Sequence, residues 1–228
     1  QQRPEAWSSV VAMQVTGSKP PVFFAPGNLG NVFTDLGYLA RHLGPDQPFY
    51  GLQDGPHNPA RIEALATHYL GQLRAVRPQG PYLLGGVCSG GVVAFEMARQ
   101  LQAQGERVPL LALVDPAWPG GRRPRLYLAL VCSLLRRILH RFGHHARRLA
   151  YERSDGQGQY LRLKSKVMAN SWAVVSYVPR PYSGRIDLFL TEGALRSPHN
   201  RQLRWREFAF GGAHVHEIPG DHATIVGL

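Results

Sequence analysis

The sequence contains very little cysteine and methionine. Its 228 residues include two cysteines, Cys88 and Cys132, and three methionines, none of them at position 1. Two cysteines cannot build the disulfide framework of a small secreted domain, and so low a count is typical of a reducing compartment. We therefore expect a cytoplasmic protein. The start at Gln1 carries neither an initiator methionine nor a signal segment, so we expect a domain cut from a larger polypeptide.

Long hydrophobic runs are also missing. The longest apolar stretch, residues 127–135, is much shorter than the roughly 20 residues that span a bilayer, so we expect no stable membrane insertion. Apolar residues still make up 44% of the chain and charged residues 18%, a balance typical of globular proteins. A chain of this length can bury a sizeable core, and we predict that residues 1–228 form a single domain.

Acidic residues are scarce. The chain has 15 Asp and Glu against 26 Lys and Arg, which gives a net charge of +11. Most of this excess lies between residues 122 and 166, where ten Arg and two Lys face only two acids. Such a segment attracts an acidic partner, although a solvated helical face explains it equally well. No recognition motif or interleaved aromatic residues accompany the charge, so we do not expect nucleic acid as a partner.

Strand and helix patterns alternate through the first half of the chain. Short apolar runs predict strands at residues 9–14, 21–25, 48–52, 81–86 and 108–114, and helical spacing predicts helices at 32–43, 61–77 and 92–104. Residues 1–18 are interpreted as a linker together with the first strand. Because this alternation is typical of βαβ units, the predicted fold class is α/β, with a mostly parallel central sheet flanked by helices.

The alternation breaks after Asp115. A loop rich in proline and glycine leads into helical patterns at residues 126–142 and 161–177, and strands resume at 186–191 and 214–218. The usual connection is a few residues plus one helix, and residues 120–180 are much longer than that. They therefore predict a helical insertion that covers the site as a lid.

A cysteine between glycines carries the main chemical signal. The run Gly86-Val87-Cys88-Ser89-Gly90 follows a predicted strand and precedes a helix. It has the nucleophile-elbow pattern of α/β hydrolases, Gly-x-Ser-x-Gly, with cysteine in place of serine, and so predicts an α/β-hydrolase fold. The tight turn requires Gly86 and Gly90 to lack side chains, and the helix N-terminus favours negative charge on the thiolate. Ser89 is a rival nucleophile, but its register would put branched Val87 where the turn needs a small residue.

A thiolate nucleophile needs a base and a group that orients the base. In hydrolases of this fold the chain order is nucleophile, acid, histidine. Asp115 ends a predicted strand at the edge of the sheet where sites form, and His222 lies in the turn after the last strand. We therefore predict that Cys88, His222 and Asp115 are catalytic. Asp221 is a competing orienter, but adjacent side chains rarely point at each other.

The oxyanion hole and the absence of a metal are further expectations. The hole is predicted to use the backbone N–H of Ser89 and one from the loop after the second strand, at Gly27 or Asn28. Three histidines between residues 140 and 145 lack a nearby cysteine or acid to complete a metal site. We expect no metal.

Together these motifs resemble the type I thioesterase domains that end nonribosomal peptide and polyketide synthases. The resemblance covers nearly the whole chain and rests on residues 23–30 (FFAPGNLG), 49–53 (FYGLQ), 86–91 (GVCSGG), 94–98 (AFEMA), 113–116 (LVDP) and 220–222 (GDH). It implies a peptidyl or polyketide acyl chain delivered as a 4'-phosphopantetheine thioester on an upstream carrier protein, with no cofactor bound directly. It also implies transfer of the chain to Cys88, release by water or by a nucleophile within the chain, and a mobile lid after Asp115.

Two features depart from the family pattern. Most members carry serine at the elbow, whereas a minority with cysteine include terminal domains linked to β-lactones and β-lactams. An acyl-thioester is more activated than an ester, so cyclisation into a strained ring is an expectation beside hydrolysis. An engineered serine-to-cysteine change would leave the same sequence. The chain also ends six residues after His222, so we expect the closing helix to be truncated.

Two other functions remain open at this stage. One is a standalone type II thioesterase that clears misprimed carrier proteins. The other is an inactive hydrolase fold that serves as a binding module.

Overall fold

A seven-stranded sheet organises the protein. The computed structural model describes residues 8–27, 32–55, 59–119, 167–197 and 201–225. The strands are β1 (Val10–Gln14), β2 (Val22–Ala25), β3 (Phe49–Leu52), β4 (Leu83–Val87), β5 (Leu110–Val114), β6 (Ile186–Thr191) and β7 (Ala213–Ile218). Their order is β1-β3-β2-β4-β5-β6-β7, with β1 antiparallel to β3 and the other neighbouring pairs parallel.

Helices flank this sheet. They are α1 (Val32–His42), α2 (Ile62–Val76), α3 (Ser89–Ala103), α4 (167–176), α5 (Glu192–Leu195) and α6 (His222–Ile225), with a 3₁₀ helix at Arg201–Phe208. The predicted class, α/β with a mostly parallel sheet flanked by helices, is confirmed. Among the described helices, none has the length and apolar character needed to cross a membrane.

Both faces of the sheet are buried. Phe23 of β2 packs in one hydrophobic cluster with Leu73 of α2 and Phe95 of α3, whereas its neighbour Phe24 packs in a second cluster with Leu36 of α1. Successive side chains of a strand point to opposite faces, so a strand covered on both sides is apolar throughout. This explains why the central strands have continuous apolar runs in the sequence.

The predicted strands are confirmed, with ends shifted by two residues at most. The predicted start of α3 at residue 92 is wrong, because the helix begins at Ser89, directly after Cys88. The sequence patterns did not indicate α5, the 3₁₀ helix or α6. Each of the two α-helices has four residues, about one turn, which is too short for an apolar repeat.

The predicted lid falls in the crossover between β5 and β6. Residues 120–166, which include the predicted helix 126–142 and Cys132, lie outside the described residues. Residues 167–176 are helical, and Ala173 and Val174 from this helix join the same buried cluster as α2 and α3. The covering role of residues 120–180 and the single-domain organisation of 1–228 remain predictions.

Candidate active site

Cys88 occupies a strained turn between β4 and α3. Its backbone angles are φ 53 and ψ −119, and positive φ is uncommon for a residue with a side chain. Backbone hydrogen bonds hold this conformation: Cys88 N–H donates to the Val114 carbonyl at 3.0 Å, and its own carbonyl accepts from Ala117 N–H at 2.9 Å. The cysteine is therefore anchored to β5 and to the loop that follows it. Strain of this kind is characteristic of functional sites.

The two glycines around Cys88 allow chain segments to touch. A Cβ atom added at Gly86 would overlap the backbone of Gly90, and one added at Gly90 would overlap the carbonyl oxygens of Ala25 and Pro26. These overlaps could not be relieved by a change of rotamer, because the atoms involved belong to the backbone. The close approach of β2, β4 and α3 thus depends on the absence of both side chains.

Cys88, His222 and Asp115 meet at the carboxyl edge of the sheet. His222 Nδ1 lies 3.2 Å from Asp115 Oδ2, across 107 residues of sequence. The side chain of Cys88 also lies close enough to the His222 ring to raise the pKa of that imidazole. Asp115 is 1% exposed and His222 is 45% exposed, so the acid is buried and the imidazole faces solvent. The structure thus brings together the three side chains predicted from the sequence.

Thr191, at the end of β6, holds Asp115 from the other side. Its backbone N–H donates to Asp115 Oδ1 at 3.0 Å, and its hydroxyl donates to Oδ2 at 2.8 Å. The same hydroxyl accepts from Ala194 N–H at 3.2 Å and so caps α5. Sequence patterns did not single out Thr191. The available signal was a polar residue that ends an apolar strand, but its nearness to Asp115 requires that β6 lie beside β5.

The predicted oxyanion-hole residues lie beside a cavity of about 650 Å³. Ser89 and Gly27 both line it, while Asn28 lies outside the described residues.

Ser89, the rival nucleophile, is the first residue of α3 and is 7% exposed. Cys88, unlike Ser89, is among the groups that raise the pKa of His222.

The sequence profile of the Thioesterase domain family matches residues 20–227. The chain belongs to this family. The chain is 30% identical over 259 residues to chondramide synthase of Chondromyces crocatus, and 31% identical over 231 residues to malpibaldin synthetase of Mortierella alpina. Each match covers 97% of this chain but only 6% and 4% of those proteins. The thioesterase domain therefore spans a small part of the curated relatives it matches.

Solved structures show the same fold. The NocB thioesterase domain, in a covalent complex with a fluorophosphonate nocardicin G analogue, is 25% identical with a TM-score of 0.74, over 95% of this chain and 91% of that one. A four-domain nonribosomal peptide synthetase is 22% identical with a TM-score of 0.75, over 96% of this chain and 19% of that one. The predicted α/β-hydrolase fold and the resemblance to type I thioesterase domains are confirmed.

The site of the thioesterase domain favours a protonated imidazole. The pKa of His222 is raised to about 10, first by its hydrogen bond to Asp115 and then by its hydrogen bond to Cys88. Burial alone would raise the pKa of Asp115, but hydrogen bonds from His222 and Thr191 outweigh it and lower that pKa. Asp115 is thus a stable carboxylate that holds an imidazolium beside the sulfur.

No group of three or more His, Cys, Asp or Glu side chains that could hold a metal ion occurs in the described part of the thioesterase domain. The three histidines between residues 140 and 145 lie outside it.

Proposed function

We propose that this thioesterase domain releases an acyl chain from a carrier protein through an acyl-cysteine intermediate on Cys88. The observation that supports this most directly is a cysteine at positive φ that raises the pKa of a nearby imidazole, His222, whose Nδ1 lies 3.2 Å from Asp115 Oδ2. A thiolate is the reactive form of cysteine, and a neighbouring imidazolium stabilises it.

Acylation exchanges one thioester for another. The Cys88 thiolate attacks the thioester carbonyl carbon, and a tetrahedral oxyanion forms. When this collapses, the bond from carbon to the pantetheine sulfur breaks, and His222 gives its proton to the departing thiolate. Asp115 keeps the imidazole ring oriented and favours its protonated form before the transfer. No net oxidation or reduction occurs.

The oxyanion is assigned to two backbone donors. Ser89 N–H lies at the start of α3, where the helix dipole also favours negative charge, and Gly27 lies after β2 on the wall of the same cavity. Asn28 remains the alternative to Gly27. One such donor typically lowers the barrier by about 3 kcal/mol.

Deacylation ends the cycle. The neutral imidazole of His222 takes a proton from water, or from an amine or hydroxyl within the acyl chain, as that group attacks the carbonyl carbon. The bond to sulfur then breaks, and the Cys88 thiolate leaves. Because an acyl-thioester is more activated than an ester, cysteine at the elbow suits a weak internal nucleophile, and strained β-lactam or β-lactone rings are within its range.

The relatives support a place at the end of a synthase. Chondramide synthase and malpibaldin synthetase match nearly the whole chain while being many times longer. We therefore assign the delivery of the acyl chain to 4'-phosphopantetheine on an upstream carrier domain.

An acyl-pantetheine thioester tests the proposal. Intact-mass spectrometry of the protein after mixing is expected to show one acyl adduct, which Cys88→Ala abolishes and Ser89→Ala, with its backbone N–H intact, retains. An adduct on Cys88→Ala equal to that on the unaltered chain would contradict the proposal. Mass analysis of the released product separates hydrolysis from cyclisation, because the cyclic product is lighter by one water.

A further inference from the structure

A buried carboxylate, Glu96, lies in α3, one of the helices that line the cavity beside Ser89 and Gly27. Its residue is 1% exposed, and the chemistry proposed for Cys88 does not use it. Glu96 belongs to the run 94–98 (AFEMA), one of the sequence motifs to which that chemistry assigns no task. Because burying a charge is costly unless the group is paired and hydrogen bonded, the partners of this carboxylate indicate what it does.

Three side chains donate hydrogen bonds to Glu96. Arg99, one turn further along α3, donates to Oε2 at 2.8 Å and to Oε1 at 2.7 Å. The amide of Gln100 donates to Oε1 at 2.9 Å, and the hydroxyl of Tyr177 donates to Oε2 at 2.8 Å. Burial alone would raise the pKa of Glu96, but these hydrogen bonds outweigh it and lower that pKa. Glu96 is therefore a stable carboxylate.

The donors to Glu96 connect α3 with the two other helices that line the cavity. Tyr177 directly follows α4 and is 2% exposed. The amide of Gln100 also donates to the Glu63 carbonyl of α2 at 2.9 Å, and its oxygen accepts from the Thr67 hydroxyl of the same helix at 2.9 Å. One carboxylate of α3 thus holds α4 through Tyr177 and α2 through Gln100.

These three helices supply much of the cavity wall. Their apolar residues on this wall are Ile62, Leu65, Val93, Ala173 and Val174. Val93 lies one turn before Glu96 on α3, so the two residues share a face of that helix. Because side chains of a protein interior are closely packed, a shift of one helix against another changes the dimensions of the cavity between them.

A second connection joins α2 and α4 at the wall itself. The hydroxyl of Tyr69, from α2, donates to Asp54 Oδ1 at 2.9 Å, and the side-chain amide of Asn170, from α4, donates to Asp54 Oδ2 at 3.1 Å. All three residues line the cavity. Asn170 therefore holds α4 near its start and Tyr177 holds it just after its end, so two hydrogen bonds fix the position of this wall.

We propose that Glu96 is a positioning residue that fixes the spacing of α2, α3 and α4 and so sets the length of the acyl chain that the domain accepts. This proposal rests on the proposed function, because it concerns the chain that is transferred to Cys88. Glu96 acts through Tyr177 and Gln100 and not by touching the acyl chain. A well-packed apolar pocket discriminates between chains that differ by one methylene by about tenfold or more.

Straight-chain acyl-pantetheine thioesters, from acetyl to dodecanoyl, test this proposal. The rate of adduct formation on Cys88 is followed by intact-mass spectrometry with the full chain at several thioester concentrations, which gives a half-saturating concentration and a limiting rate for each length. With the unaltered protein, the ratio of these two quantities is expected to favour one length and to fall about tenfold or more when the chain exceeds the cavity.

Tyr177→Phe removes only the hydroxyl that joins α4 to Glu96. It is expected to raise the half-saturating concentration of the favoured thioester about tenfold and to flatten the dependence on length. The limiting rate and the rate with the acetyl thioester should not change. A change in half-saturation without a change in limiting rate indicates lost binding of the chain and not lost chemistry at Cys88.

Two further variants separate positioning from general stability. Gln100→Met cuts the connection to α2 and is expected to flatten the length dependence as well, so it decides the question if Tyr177→Phe does not fold. Tyr82→Phe is the matched control, because Tyr82 is 0% exposed and its hydroxyl donates to the carbonyls of Arg77 and Pro78 at 3.2 Å, at the end of β4 opposite the nucleophile. It is expected to lower stability and leave the length preference unchanged.

The outcomes distinguish the two proposals. Equal length preferences for the unaltered protein, Tyr177→Phe and Gln100→Met would overturn the role of Glu96 while leaving the acyl-cysteine chemistry of Cys88 intact. An equal flattening in Tyr82→Phe would also overturn it, since lost stability would then explain the effect, and so would an acetyl rate that falls as far as the rate of the favoured thioester. No adduct from any thioester would overturn the proposed function and the positioning role with it.

Discussion

Replacing Thr191 by valine removes a single hydroxyl from the buried end of the site. This hydroxyl donates to Asp115 Oδ2 at 2.8 Å and accepts from Ala194 N–H at 3.2 Å. Valine has nearly the same shape, and the backbone N–H of Thr191 keeps its 3.0 Å hydrogen bond to Oδ1. The change therefore isolates one donor to the carboxylate and one helix cap.

The expected loss follows from these two contacts. Thr191 is 0% exposed and Asp115 is 1% exposed, so solvent does not replace the hydroxyl. A hydrogen bond to a charged group contributes about 1.5–3 kcal/mol, and a helix N-cap about 1 kcal/mol. We expect the free energy of unfolding to fall by about 2–4 kcal/mol and Tm by about 5–15 °C. Acylation of Cys88 should slow as well, because Asp115 orients His222.

The pH dependence separates charge stabilisation from packing. The pKa of Asp115 is lowered in the folded protein, so its contribution to stability is present above the ordinary aspartate pKa and is lost as pH falls through the folded pKa. Thr191→Val removes one of the hydrogen bonds that lower the pKa of Asp115. The stability difference from the unaltered chain should therefore be largest near neutral pH and should shrink under acid conditions, where the carboxyl is protonated in both proteins.

Urea unfolding between neutral and acid pH, together with acylation rates, provides the assay. Thr191→Ser keeps the hydroxyl and is expected to retain most of the stability. Thr16→Val is a matched exposed control and should change stability by about 0.5 kcal/mol or less, because within the described ranges the Thr16 hydroxyl makes only a long 3.5 Å contact with the Pro45 carbonyl. Equal stability and acylation for Thr191→Val and the unaltered chain would refute the reasoning. A Thr191→Ser loss as large as that of valine would contradict the assignment of the loss to the hydroxyl, because serine keeps it.

Three further predictions concern the elbow, the imidazole and the core. Gly90→Ala should lower the free energy of unfolding, measured in urea, by about 1–3 kcal/mol because the added Cβ overlaps backbone atoms. Gly71→Ala in α2, where the added Cβ meets open space, should not lower it, and equal effects of the two changes would contradict the packing argument. The acylation rate should fall as pH rises through about 10, where His222 loses its proton. The stability that His222 contributes is complete below its unfolded pKa near 6.5 and should be lost as pH rises through the folded pKa of about 10. Initial acylation rates, corrected for uncatalysed hydrolysis, that stay level above that pH would count against an imidazolium. Tyr177→Phe removes a buried 2.8 Å hydrogen bond to Glu96 and should lower the unfolding free energy by about 1.5–3 kcal/mol, and an unchanged urea midpoint would show that the bond contributes nothing.

The sequence by itself determined the strands of the sheet and the turn that carries Cys88. Both are local: an apolar run between breakers predicts a buried strand, and a glycine two residues on each side of a reacting residue predicts a tight turn. The start of α3 was wrong by three residues because Ser89, Gly90 and Gly91 have no apolar pattern, although the turn already requires a helix to follow at once.

The predicted partners of Cys88 came from chain order and not from distance. The sequence placed Asp115 and His222 at the ends of two strands, which is enough to expect them on one edge of a parallel sheet. Asp221 is nearer to His222 in sequence, but in the folded chain His222 Nδ1 lies 3.2 Å from Asp115 Oδ2. Only the fold determines this pairing. Their catalytic roles remain predictions until the adduct on Cys88 is measured.

Tertiary structure alone decided which side chains surround these three. Thr191 reaches Asp115 because β6 lies beside β5, and Tyr69 and Asn170 reach Asp54 because α2 and α4 border the same cavity. A local pattern records how a strand or helix buries its own face, but not which distant element it packs against. The turn that carries Cys88 could therefore be predicted from adjacent residues, whereas the hydrogen bonds to Asp115 and the contacts at the cavity wall depend on how distant strands and helices pack together.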